Sequence, residues 1–77
     1  MNIKDKAAKI RTLSNDDTYQ EVIKEIRNAQ VSVFLNGQSQ LEAINDAHDI
    51  IRALNLIEAQ FNTVFTDEAI FDKKQKD

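Results

Sequence analysis

The sequence predicts an all-α protein: a long antiparallel helical hairpin with a short helix before it and a short helix after it. Three observations carry this. The 77 residues include no Pro, a single Gly and few aromatics, a composition that suits helices better than sheets. From Ser39 to Phe65 there is neither Gly nor Pro. Apolar residues there fall at Ile44, Ala47, Ile51, Leu54, Phe61 and Phe65, with Ile50, Ile57 and Val64 in a second row beside them. Such spacing places one broad apolar stripe on a helix. Finally, clusters of capping residues at 14–18 and 36–39 divide the chain where the periodicity changes.

The elements follow in order. Residues 2–13 form a first short helix with a thin stripe of Ile3, Ala7, Ile10 and Leu13. Alone, a helix this short is marginal in water, so it needs a partner surface. The run Ser14-Asn-Asp-Asp-Thr18 is N-cap chemistry. It starts the second helix at Asn15 or Asp16, or two to three residues later if Thr18 and Glu21 form a capping box. That helix runs to Leu35 with Tyr19, Val22, Ile23, Ile26, Val33 and Phe34 on one face and Gln30 interrupting it. Asn36-Gly37 can mark a two-residue β-turn, but helical periodicity on both sides favours a stop with a left-handed glycine, and Ser39 to Glu42 then reads as a capping box for the long helix. So short a link favours an antiparallel pair, residues 15–35 against 39–65. Thr66-Asp67-Glu68 repeats cap chemistry: either the long helix breaks here and a last short element, residues 67–77, begins, or it continues unbroken. Residues 67–77 contain Ala69, Ile70 and Phe71 and end in a loose polar tail.

The length allows one domain, residues 1–77. A chain this short buries only about 60% of its unfolded surface. It has no Cys and one His, which excludes disulfides and disfavours a structural zinc site. Helix packing and self-association remain as stabilisers. The net charge of −3 is unevenly placed: Lys4, Lys6, Lys9 and Arg11 face only Asp5 in residues 1–13, whereas the rest is acidic. An acidic body repels nucleic acid, and the basic arm is the part that can touch phosphates or an acidic partner. No apolar run approaches the roughly 20 residues that span a membrane. The basic N-terminus has no apolar signal core, so we expect no membrane partner and a cytoplasmic setting.

Candidate chemistry is sparse. His48 has Ile44, Asn45, Ile51 and Arg52 as helical neighbours and no carboxylate, so we read it as a half-exposed helical His. The pairs Asp16-Asp17 and Asp67-Glu68 sit where helix starts favour negative charge, outside any calcium-loop pattern; we read both as caps. Lys4 and Arg11 share one helix side and Lys6 lies on another, which makes no clean basic stripe. One glycine cannot build a phosphate loop. The expectation is no enzyme, no catalytic residue, no metal and no cofactor. Apolar residues in unusual places are more informative: Val31, Leu35, Leu56, Ile70 and Phe71 lie off the main stripes, and we nominate them as a protein-partner surface. Gln30 in its seam either fixes register or reaches water at the edge.

The run Leu13-Ser-Asn-Asp-Asp17, then Tyr19-Gln-Glu-Val-Ile23 and Phe34, then Ala47-His-Asp-Ile-Ile-Arg-Ala-Leu54 with Ile57-Glu58, resembles the small helical proteins that tailed bacteriophages encode among their head and late genes. The resemblance covers residues 13–70 and transfers no catalytic residue. It implies a phage setting, in the virion or the host cytoplasm. The expected role is a non-enzymatic assembly component acting through helix–helix contacts, as an oligomer or docked on a larger phage protein. The alternatives are a small effector that inhibits a host defence or transcription protein and, third, a DNA-associated protein using the basic first helix.

Overall fold

The computed structural model describes residues 1–76 and is helical, with no strand among them. Three helices follow one another: α1 (Ile3–Ser14), α2 (Asp17–Leu35) and α3 (Leu41–Lys76). Lys4 meets Asp72 and Arg11 meets Glu68, so α1 runs antiparallel to the C-terminal part of α3. Tyr19 meets Phe61 and Arg27 meets Asn55, so α2 runs antiparallel to its N-terminal part. One 36-residue helix therefore backs two shorter ones, each covering a different length of it. The molecule measures 59 × 23 × 18 Å, and α3, at about 1.5 Å per residue, accounts for nearly all of the long dimension.

Local chemistry explains most helix ends. Asn2 caps α1, its side chain accepting from the Asp5 amide at 2.8 Å. Asp16 caps α2 by accepting from the Tyr19 amide at 2.8 Å, as the sequence favours. Its acidic neighbour Asp17 sits in the first turn, where the helix dipole welcomes it.

Four expectations are corrected. No described residue has a positive φ, so Gly37 is not a left-handed stop. Instead Asn36 turns extended (φ −86°, ψ 112°) and its side chain accepts from the Gln38 amide at 2.9 Å. Ser39 does not cap α3: its hydroxyl donates to the Val33 carbonyl at 2.7 Å and satisfies an open acceptor at the end of α2. Nor does α3 break at Thr66-Asp67-Glu68, so there is no separate C-terminal helix. With no Gly or Pro to interrupt it, and with α1 lying alongside, the helix has no reason to stop. Finally, residues 72–76 continue that helix and are not a loose tail; Asp77 lies outside the described residues.

Because Gly37 uses no special conformation and an added Cβ would meet nothing within 4 Å, its freedom only benefits the unfolded chain. Gly37→Ala is expected to stabilise by about 0.4–1 kcal/mol, read as a higher urea midpoint.

The core is thin. Its buried apolar residues are Ala7, Ala47, Leu54 and Val64, two of them alanines. Ala7 is completely buried between exposed Lys6 and Ala8, so α1 approaches α3 closely at a residue with almost no side chain.

Candidate functional site

Two features could serve a function: a charged clasp that holds α1 and an uncovered apolar surface along α2 and α3.

The clasp grows from simple spacing. Lys4 and Arg11 lie seven residues apart and so share a face of α1; Glu68 and Asp72 lie one turn apart on α3. Lys4 Nζ donates to Asp72 at 2.8 and 2.9 Å and lies 3.3 Å from Glu68. Arg11 donates to both carboxylate oxygens of Glu68, and its guanidinium carbon stands 5.0 Å over the Phe65 ring. That arrangement combines a forked ion pair with a cation–π contact. Glu68 is only 6% exposed, yet no buried side-chain polar atom of the described residues lacks a partner. The Arg11 guanidinium above all holds the Glu68 carboxyl below its ordinary range; burial works against this and the Lys4 bond reinforces it. Lys4 and Arg11 are raised in turn, chiefly by their bonds to Asp72 and Glu68 respectively. Glu68 is thus no helix cap. It relieves two problems together, since two carboxylates one turn apart repel each other and α1 carries excess positive charge.

Two of the four basic residues nominated for phosphate or acidic-partner contacts are therefore engaged inside the molecule. Lys6 and Lys9 remain solvent-exposed. His48 is exposed on α3, and no group of three His, Cys, Asp or Glu among the described residues is placed to hold a metal ion.

Between α2 and α3 the seam is incompletely closed. Tyr19 and Phe61 have ring centroids 6.3 Å apart at 37°. They line an open groove of about 420 Å³ with Ile23, Leu54 and Ile57. Arg27 edges it and bonds Asn55 and Glu58, each at 3.1 Å. Half-buried Gln30 donates to the Ile26 carbonyl of its own helix at 3.0 Å, a bond that ties it to α2 and not across the seam.

The nominated partner residues are all exposed, but they are not gathered. Leu35, 81% exposed, ends α2 beside the start of α3, whereas Ile70 and Phe71 lie near the start of α1. Some 30 residues of α3, about 45 Å, separate these ends. Val31 shares a face of α2 with Leu35, and Leu56 lies midway along α3 next to Ala59 in a shallow depression. Sequence reasoning missed a more continuous surface. Val22 and Ile26 of α2 are 46% and 38% exposed, and Ile50 and Ile57 of α3 are 39% and 40% exposed. Spacing places Val22 and Ile26 on the apolar face of α2 and Ile50 and Ile57 in the second row of α3. A signal was present: α3 carries apolar rows on both sides of Leu54 and Phe61, and one neighbouring helix cannot cover both. Val64, in the same row as Ile50 and Ile57, is buried because α1 lies there.

Fold and surface together define a class: an elongated all-α protein in which one long helix backs two shorter ones and leaves an apolar flank open. No helix among the described residues is long and apolar enough to cross a membrane. No protein-family model matches this chain, and no curated protein and no solved structure matches it either.

Proposed function

We propose that this protein acts by helix–helix association and not by catalysis, as a structural or assembly component of a bacteriophage particle. The observation that supports this is the balance of its apolar surface. Among the described residues thirteen large hydrophobic side chains are exposed, while the buried apolar set is four residues, two of them alanines. Val22, Ile26, Ile50 and Ile57, exposed along one flank, are the part of that exposed set that marks an interaction surface. The phage setting is supported by the resemblance of residues 13–70 to small head and late-gene proteins. On this reading the hairpin of α2 and α3 adds helices to an assembly, and the α1 clasp keeps the rod rigid along its length.

One observation favours a second reading, a small effector that binds a host defence or transcription protein. Residues 14–64 hold three basic side chains against eight acidic ones, a surface able to imitate nucleic acid charge. DNA association through α1 is the weaker alternative, since Lys4 and Arg11 are engaged with Glu68 and Asp72. The test is to follow the tagged protein through a density gradient of particles from infected cells. A fraction that bands with particles at fixed stoichiometry supports the assembly role. Recovery only in the host cytoplasmic fraction rejects it in favour of the effector.

A further inference from the structure

We infer that the open flank of Val22, Ile26, Ile50 and Ile57 is a docking groove for a basic amphipathic helix of another protein, laid along α3 beyond the end of α1. This names the chemistry of the partner for the association role proposed above and rests on that reading.

Helical phase makes the four residues one groove. On α3, Leu54 and Phe61 face α2. Glu58 stands four residues beyond Leu54, on the edge where Arg27 binds it, and Ile57 stands three beyond, on the other edge. On α2 the same steps from Ile23 reach Arg27 on the first edge and Ile26 on the second. In an antiparallel pair the second edges coincide, so Val22 and Ile26 lie alongside Ile57 and Ile50. The polar bridge of Arg27, Asn55 and Glu58 closes the first edge only.

The position of α1 shows what this row of α3 accepts. Ile50, Ile57 and Val64 recur at intervals of seven residues, and α1 buries the last of them. It does so as a helix with a thin apolar stripe, Ile3, Ala7 and Ile10, while Lys4 and Arg11 reach carboxylates beside the row. The chain leaves α3 near Phe61 and Phe65, where Ser14 and Asn15 stand. Residues 41–60 then have only α2 beside them, over about 30 Å of the same helix. A groove between two helices that is continuous with a seated third helix has the shape for another helix, end to end with α1.

Charge decides which helix. Glu25 stands one turn from Val22, and Asp46 one turn before Ile50, with Glu42 and Asp49 one turn either side of Asp46. All four carboxylates are exposed on the open edge, and none joins an ion pair among the described residues. The three basic residues of this section lie elsewhere: Lys24 and Arg27 line the opposite edge, and Arg52 lies with Leu56 and Ala59 on the outer face of α3. An apolar floor with an acidic rim and no cation calls for an occupant that brings its own, as α1 does at Glu68 and Asp72. A second copy is a poor occupant. Its matching section carries three basic and eight acidic side chains. Its basic α1 could reach the groove only by leaving Glu68 buried without Arg11. The same rim repels nucleic acid and anionic lipid.

The probe is a labelled synthetic peptide of about 20 residues, which makes about 30 Å of helix, with Leu on one stripe and Lys on the remaining face. It is titrated into the full chain and followed by fluorescence anisotropy. Two controls are a peptide with Glu in place of Lys and a Lys peptide of the same composition scrambled to destroy the stripe. The first peptide should bind at micromolar concentration and each control about 10-fold more weakly or worse. Ile57→Lys should weaken binding about 10-fold or more, and Leu56→Lys, off the flank and 69% exposed, should not change it. Asp46→Lys combined with Asp49→Lys should weaken it similarly. Both of those carboxylates are exposed, so the double variant carries the readout if Ile57→Lys loses ellipticity. Equal binding of the Lys and Glu peptides, or of the scrambled one, would overturn the inference, as would binding that ignores the flank and rim variants. A dimer in sedimentation equilibrium that Ile57→Lys dissolves would give the flank to a second copy and overturn it too. A protein that bands with particles but binds no peptide would sink this inference and leave the assembly role standing; peptide binding by a protein absent from particles would do the reverse.

Discussion

Leu54→Ala is expected to cost about 2–5 kcal/mol, the usual range for removing a buried leucine. Among the described residues Leu54 is the one large aliphatic side chain buried between α2 and α3; the other buried residue there is Ala47. At about 0.05–0.15 kcal/mol per residue, a chain this size has a total stability of only about 4–12 kcal/mol. A single truncation therefore removes a large share of it. The open groove beside Leu54 gives Tyr19 and Phe61 room to close on the gap, which would place the result near the lower end. Urea unfolding followed by far-UV dichroism measures it. Leu56→Ala, two residues on and exposed, should stay within about 0.5 kcal/mol. Equal losses at both positions would show that Leu54 is not the packing centre of the pair.

Acid is expected to release α1 before the rest of the molecule unfolds. The Glu68 carboxyl is held below its ordinary range in the folded state by Arg11 and Lys4, so the folded protein binds fewer protons there than the unfolded chain. Its contribution is present above the unfolded value of about 4.3 and is lost as pH falls through the lower folded value. Lys4 has the opposite sign. It is raised by Asp72 and Glu68, and its contribution is lost as pH rises above about 10.4. A helix of 12 residues does not persist without its partner surface, so undocking melts it, and ellipticity at 222 nm should fall by about a sixth. Glu68→Gln should produce the same partial loss at neutral pH. It removes the charge that answers Arg11 and Lys4 while keeping the shape. If the variant retains full ellipticity and its acid transition is unchanged, the clasp is not what holds α1.

Sequence alone determined the class of the fold and much of its detail. Helical content follows from the absence of Pro, the single Gly and steps of three and four, because these act within one turn of chain. The Asp16 cap was legible for the same reason, as was the antiparallel direction of α2 and α3 from the short link. Much of what failed depends on a neighbour distant in sequence. The cap chemistry of Thr66-Asp67-Glu68 is real locally, yet Arg11, 57 residues away, takes Glu68 as a partner and the helix runs on. Two failures were local: Gly37 adopts no left-handed turn, and the Ser39 hydroxyl bonds the Val33 carbonyl six residues back. Periodicity placed Val22, Ile26, Ile50 and Ile57 on apolar faces, but it reports which residues share a face and not whether anything covers that face. Only the tertiary arrangement decides that: α1 reaches the row at Val64 and stops short of Ile57 and Ile50, since a 12-residue helix spans about 18 Å of a backing helix three times as long.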